Sequence, residues 1–285
     1  MNTGAAPNPT PNPSERVIVA LDVPSKDEAL RIVDELDGVI SFFKVGLELL
    51  MSGGMEDLLR KLVVGKKVFV DLKLPSDIPE TVKRVVSLAA DIGVTFLTLS
   101  NSATTGTIRA ALEGRGDSAS PHLLYVPFLS SLDRADFSEL YGKRPEDFEG
   151  FLEQRTQEAK NAGADGFIVS GPEIRLLRNK YPDAKLVSPG IRPSGSSVDD
   201  HKRACTPAQA INLGADYIVV GRPIRNSSDR RAAAQRIVDE VANTLIGGSS
   251  ASARPSAPGG YGGGNGAGYS SASSGSAPML ARSKD

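Results

Sequence analysis

Two groups of charged residues carry the chemistry that this sequence could perform. The first is Asp71-Leu72-Lys73, with Asp77 shortly after, at the far end of the apolar run Val68-Phe69-Val70. Side chains alternate across a strand, so Asp71 and Lys73 at i and i+2 should point to the same side. A carboxylate and an ammonium at the end of a buried strand are costly unless they pair. Asp22 ends another apolar run, and Lys44 interrupts a third, Ser41-Phe42-Phe43-Lys44-Val45. An aspartate set between two lysines favours the ionised form of each group. An ammonium fixed in a partly desolvated site can stabilise a developing carbanion and then give it a proton. The second group is Gly190-Ile191-Arg192 and Gly221-Arg222, each just past an apolar run. Backbone N–H groups approach an anion closely at glycine, and arginine binds phosphate in a two-pronged manner. Together these predict a phosphorylated small-molecule substrate.

Elements that could bring such groups together follow from periodicity. Short β-branched and aromatic runs at 17–21, 41–45, 68–70, 95–99, 123–126, 166–169, 185–188 and 216–220 read as buried strands. Helical patterns separate them. Ser25 with Glu28 makes a capping box, a helix after Gly46 breaks near Gly53-Gly54, and Thr206-Pro207 opens another. Asp77, Pro79 and Glu80 resemble a helix start, with Asp77 as its N-cap. A polar excursion over 130–145 precedes a helix over 147–162, and the last helix covers about 229–245. Eight strands alternating with eight helices predict an α/β fold, a (β/α)₈ TIM barrel, in which catalytic groups gather at the C-terminal ends of the strands. An open doubly wound sheet is the alternative. No glycine-rich dinucleotide turn follows the first strand, where Asp22-Val23-Pro24-Ser25 stands instead. No internal repeat is evident beyond the alternation itself. The barrel is assigned to a single domain, 15–246, between a disordered lead-in at 1–14 and a disordered tail rich in Gly, Ser and Ala at 247–285, where Tyr261 and Tyr269 stand alone.

Composition excludes other classes. The 285 residues are 40% hydrophobic, enough for a sizeable core, and the net charge of −1 gives no general attraction for nucleic acid or an anionic membrane. One cysteine, Cys205, permits no internal disulfide, and two histidines argue against a histidine-rich metal centre. No signal peptide or membrane-length apolar run is present. A cytoplasmic location is expected. Taken singly, each charged residue has an ordinary reading. Asp22 could be a turn residue, Lys44 a snorkelling side chain, and Asp71 with Lys73 a structural ion pair. Their convergence on one barrel mouth is what favours a site.

These residues carry a resemblance. Val19-Ala20-Leu21-Asp22, Lys44-Val45-Gly46, Asp71-Leu72-Lys73 with Asp77-Ile78-Pro79-Glu80-Thr81, Pro189-Gly190-Ile191-Arg192-Pro193 and Val220-Gly221-Arg222-Pro223 make the chain similar to the orotidine 5′-monophosphate decarboxylases over nearly the whole barrel. The resemblance implies cofactor-free decarboxylation of orotidine 5′-monophosphate to uridine 5′-monophosphate, with no metal, by a homodimer with shared active sites. It implies that Lys73 is the proton donor and that Lys44, Asp71 and Asp77 complete its charge network. Asp77, Ile78 and Thr81 would enter the partner's site. Asp22 would hold ribose, Ser130 the pyrimidine, and Arg192, Gly221 and Arg222 the phosphate. His201 falls where a phosphate-side glutamine is common. The chain departs from the family in one place. The family spacing is Asp-x-Lys-x-x-Asp, but one more residue stands between Lys73 and Asp77 here, which requires a bulge or a wider turn. Two other readings are a metal-dependent sugar-phosphate barrel enzyme and a nucleotide-binding barrel that the extra residue has disabled.

Overall fold

The computed structural model describes residues 12–193 and 204–251. Eight parallel strands close into a barrel in chain order. They are β1 (Val17–Ala20), β2 (Phe42–Gly46), β3 (Lys67–Leu74), β4 (Phe96–Leu99), β5 (His122–Tyr125), β6 (Gly166–Ile168), β7 (Lys185–Ser188) and β8 (Tyr217–Val220). The ring closes where β8 pairs with β1, Ile218 beside Val17. The helices are α1 (Lys26–Glu35), α2 (Leu47–Met51), α3 (Met55–Leu62), α4 (Pro79–Ile92), α5 (Thr105–Arg115), α6 (Arg134–Tyr141), α7 (Phe148–Ala162), α8 (Glu173–Lys180), α9 (Pro207–Leu213), α10 (Arg222–Arg225) and α11 (Arg230–Ala251). The architecture is the expected (β/α)₈ barrel. Among the described residues no helix is long and apolar enough to cross a membrane.

Strand parity divides the core in two. Ile18, Ala20, Phe42, Phe69, Phe96, Leu124, Val126, Ile168, Val187 and Val219 fill the barrel interior. Their neighbours, such as Val17, Val19, Phe43, Val45, Val68 and Val70, face outward and pack under the helices. The interior is tied together by aromatic edges, with Phe96 5.1 Å from both Phe42 and Tyr217.

Several elements differ from expectation. Strand β3 runs four residues further than its apolar core, through the charged rim to Leu74. The excursion at 130–145 contains α6, closed at its start by a capping box between Asp133 and Asp136. Helix α6 packs into a separate aromatic cluster of Phe128, Phe137, Phe148 and Leu152. Ser25 caps α1 by accepting from Glu28 N, without the reciprocal half of the box. Asp77 is not the N-cap of α4. With Pro79 at the first helical position, Ile78 becomes the cap residue, and the Asp77 carboxylate accepts its neighbour's N–H at 2.7 Å. A 3₁₀ turn at Pro13–Arg16 reaches into the stretch read as lead-in, and α11 continues to Ala251, past the expected boundary at 246. The rest of 1–14 and 247–285, with Tyr261 and Tyr269, lies outside the described residues.

A repeat absent from the sequence reading emerges at the N-terminal face. Helices α4, α7 and α9 each end on a left-handed glycine, Gly93, Gly163 or Gly214. A buried residue follows, and then Thr95, Asp165 or Asp216 exchanges two bonds with the preceding strand. Val68 N donates to Thr95 Oγ1 at 3.2 Å, Leu123 N to Asp165 Oδ2 at 2.7 Å, and Leu186 N to Asp216 Oδ2 at 2.8 Å. In return Thr95 N, Asp165 N and Asp216 N donate to the carbonyls of those same strand residues. Arg115 and Arg178 each pair with the aspartate at 2.6 Å. Removing such a carboxylate strands a strand N–H and takes the charge partner from a guanidinium, which at Arg178 keeps the Gly214, Pro182 and Ala184 carbonyls as acceptors. Asp216→Ala is expected to lower unfolding stability by about 2 kcal/mol and Asp216→Asn by about half of that. Urea unfolding measures this, and an unchanged midpoint for Asp216→Ala would show that the clasp contributes nothing.

Candidate active site

At the C-terminal ends of the strands the inward positions change from apolar to polar. Continuing the interior parity, Ala20 is followed by Asp22, Phe42 by Lys44, Phe69 by Asp71 and Phe96 by Thr98. Register sets these residues side by side, with Lys44 beside Ala20 and Phe69, and Gly46 beside Asp71. The charges alternate as expected. Lys44 Nζ lies 2.9 Å from Asp22 Oδ1 and 3.4 Å from Asp71 Oδ2, and Lys73 Nζ lies 3.0 Å from Asp71 Oδ1.

Burial makes the array strongly coupled. Lys44 is 9% exposed. Burial alone would depress its ammonium, but Asp71 and Asp22 outweigh burial and raise it above the ordinary lysine value. Burial would likewise raise the Asp71 carboxyl, yet Lys44 and Lys73, with a hydrogen bond from Thr98, hold it below the ordinary carboxylate value. Both remain charged at neutral pH.

The array forms one wall of a cavity of about 530 Å³. Asp22, Lys44, Asp71, Lys73, Ser130, Arg192, Gly221 and Arg222 all line it, so eight of the residues singled out in the sequence meet in one place. Asp77, Ile78 and Thr81 do not line it. Asp77 and Ile78 are exposed, Ile78 at 67%. His201 lies outside the described residues. Two lining residues, Glu48 and Arg225, were missed. Arg225 stands one helical turn after Arg222, a spacing that puts both on one face of α10 and that could have flagged it. It donates to the Asp22 carbonyl through Nη1.

The lengthened stretch after Lys73 is preceded by a bulge and held by an anchor. Pairing between β3 and β4 jumps from Val70 beside Leu97 to Leu74 beside Leu99. Lys73 takes a left-handed backbone conformation, φ +50°, the single non-glycine residue with positive φ among the described residues. Beyond it, the Ser76 hydroxyl accepts from Thr104 N at 3.0 Å and meets Thr107 Oγ1 at 3.1 Å, at the start of α5. This ties the lengthened turn down and leaves Asp77 and Ile78 projecting outward.

A (β/α)₈ barrel whose mouth gathers alternating carboxylates and ammonium groups and an arginine-bearing rim around one cavity defines an enzyme class that acts on small phosphorylated substrates. The chain belongs to the orotidine 5′-phosphate decarboxylase / HUMPS family, whose sequence pattern matches residues 15–237. It is 44% identical over 229 residues to the orotidine 5′-phosphate decarboxylase of Rhodopseudomonas palustris strain BisA53, a match spanning 80% of this chain and 94% of that one. It is 44% identical over 234 residues to that of Afipia carboxidovorans, spanning 81% and 96%. In three dimensions it resembles the orotidine 5′-phosphate decarboxylase of Lactobacillus acidophilus, with a TM-score of 0.68, 34% identity, and coverage of 80% of this chain and 99% of that one.

The shifts give the pH dependence its sign. Asp71, depressed when folded, adds stability that is full above its unfolded value of roughly 3.9 and is lost as pH falls through the folded value. Lys44, raised when folded, adds stability that is full below roughly 10.4 and is lost as pH rises through its folded value. Lys44→Met leaves Asp71 buried with Lys73 as its one charged partner and the Thr98 hydroxyl as a donor. The acid-unfolding midpoint, followed by circular dichroism, is expected to move to higher pH, with a stability loss of about 3 kcal/mol at pH 7. A midpoint equal to that of wild type would mean that Lys44 does not hold the carboxylate.

Proposed function

We infer that the chain decarboxylates orotidine 5′-phosphate to uridine 5′-phosphate in pyrimidine biosynthesis. The observation that carries this reading is the Asp22–Lys44–Asp71–Lys73 array sharing one cavity with Arg192 and Arg222. The phosphate binds at Arg192, Gly221 and Arg222, aided by His201. Asp22 and Lys44 hold ribose, and Ser130 meets the pyrimidine. This places the scissile carboxylate at Asp71 and Lys73. The bond from the ring carbon to the carboxylate breaks, carbon dioxide leaves, and the electron pair stays on the ring. Lys73 Nζ stabilises that carbanion and transfers a proton to it, and the amine regains its proton from solvent. Asp71 aims the donor by accepting Lys73 Nζ, and Lys44 holds Asp71 from the other side.

No cofactor or metal is required in this scheme. Lys44 occupies the space between Asp22 and Asp71, so a divalent cation there would meet an ammonium. This weighs against the sugar-phosphate reading. The active unit is a homodimer in the cytoplasm, with orotidine 5′-phosphate as its ligand and no nucleic-acid or membrane partner. Exposed Leu47, Met51 and Ile78 follow the adjacent strands β2 and β3, and a second copy covering them would receive Asp77, Ile78 and Thr81 into its own site. The barrel at 15–246 carries the activity, flanked by 1–14 and 247–285.

Loss of orotidine 5′-phosphate absorbance, followed with chelator present, tests the reaction. Wild type should turn over undiminished and Lys73→Ala should fall by about 10³-fold or more. Wild type that binds uridine 5′-phosphate without turnover would instead make this a binding barrel. Sharing of sites is tested by mixing. Lys73→Ala and Asp77→Ala chains, each nearly inactive alone, should regain about a quarter of wild-type activity when combined equally, because half the dimers are mixed and each holds one intact site. No recovery would rule out an exchanged Asp77.

A further inference from the structure

We propose that Thr98 is a positioning residue for Lys73, acting through its hydroxyl on both the backbone and the charge partner of that lysine. The inference rests on the decarboxylase reading above and names a residue that neither the motifs nor the ion pairs of the site include.

Thr98 is fully buried, the last inward residue of β4, with Phe96 beneath it. Its Oγ1 accepts from the Lys73 backbone N–H at 2.9 Å and donates to Asp71 Oδ1 at 3.0 Å. A hydroxyl has one proton to give and can accept as well, so both bonds form at once. Asp71 Oδ1 is also the oxygen that receives Lys73 Nζ at 3.0 Å. The contacts close a ring from the Lys73 backbone to the Thr98 hydroxyl, to the Asp71 carboxylate, and back to the Lys73 ammonium.

This ring answers two difficulties at the end of β3. The register jump between Val70 and Leu74 interrupts the ladder with β4 just where Lys73 N–H needs an acceptor, and an orphaned buried N–H is costly. A lysine with φ +50° is also in a region that non-glycine residues avoid, and such a conformation persists only where its surroundings fix it. The hydroxyl supplies the acceptor and fixes the conformation. By donating to the same carboxylate oxygen that holds Nζ, it also sets the direction from which the ammonium approaches.

The test compares Thr98→Val, which keeps the shape and removes the hydroxyl, with Thr98→Ser, which keeps the hydroxyl and removes the methyl. Turnover of orotidine 5′-phosphate and binding of uridine 5′-phosphate are both measured. Thr98→Val should lower kcat by about 10- to 100-fold while product affinity and KM stay within about 3-fold, and Thr98→Ser should keep kcat within about 3-fold of wild type. Thr98→Cys, a weak donor of similar size, replaces Thr98→Val if the latter does not fold, and is judged by the same criteria. Unchanged kcat without the hydroxyl overturns the proposal. So does an equal loss in Thr98→Ser, which would assign the effect to methyl packing, or a parallel loss of product binding, which would mean general damage to the site. A wild type without turnover contradicts the decarboxylase reading itself, whereas an active wild type with a fully active Thr98→Val removes the positioning role alone.

Discussion

The structure depends on one arrangement above others, the buried ammonium of Lys44 held between the carboxylates of Asp22 and Asp71. An isolated charge at that depth would cost several kcal/mol, and parity allows the barrel to avoid it. Each of the first three strands carries an inward ionisable residue near its C-terminal end, and Lys44, one inward position below Asp22 and Asp71, reaches both carboxylates with its long side chain. Once Lys44 and Asp71 are fixed, Lys73 has a partner, and the left-handed turn at its backbone becomes tolerable. The bulge lies around that lysine, and the anchored Ser76 turn and the outward Asp77–Ile78 segment follow it along the chain.

Much of this was legible in the sequence because apolar strands that end in charge are conspicuous. Asp22, Lys44 and Asp71 interrupt β-branched runs, and a barrel leaves few places for such residues except its mouth. Thr98 was not legible. In Phe96-Leu97-Thr98-Leu99 a threonine is an ordinary strand former, and its role appears only when β4 is laid against the bulged β3. Helix α6 escaped notice because Phe137 serves a satellite cluster and not the barrel. Asp77 was misread as a cap because its spacing to Glu80 fits one, yet Pro79 moves the helix start by one residue. The extra residue after Lys73 is visible in the sequence, but its anchoring by Ser76 needs the Thr104 N–H and the Thr107 hydroxyl at the start of α5.

The satellite cluster is joined to the barrel mouth by a polar seam. Tyr125 OH and Arg155 Nη2 both donate to the Asn101 carbonyl, at 3.1 and 2.7 Å, and Asn101 Nδ2 donates to Tyr141 OH at 2.8 Å. Burial pushes the Tyr125 hydroxyl up to about 12, so it remains a donor at any physiological pH. The turn after β4 is thereby linked to the excursion that carries Ser130.

The recurring Gly-x-Asp/Thr contacts at the opposite face bear on how the barrel finds its alignment. Parallel strands buried on both sides read as uniform apolar runs, and hydrophobicity alone hardly distinguishes one pairing from its neighbour. Val68, Leu123 and Leu186 each have a side-chain acceptor waiting at one position only. A slip by a residue would forfeit that acceptor and turn the interior phenylalanines outward. These contacts therefore act as keys that lock the shear of the barrel from its base, and on β3 the key at Val68 lies three residues before Asp71.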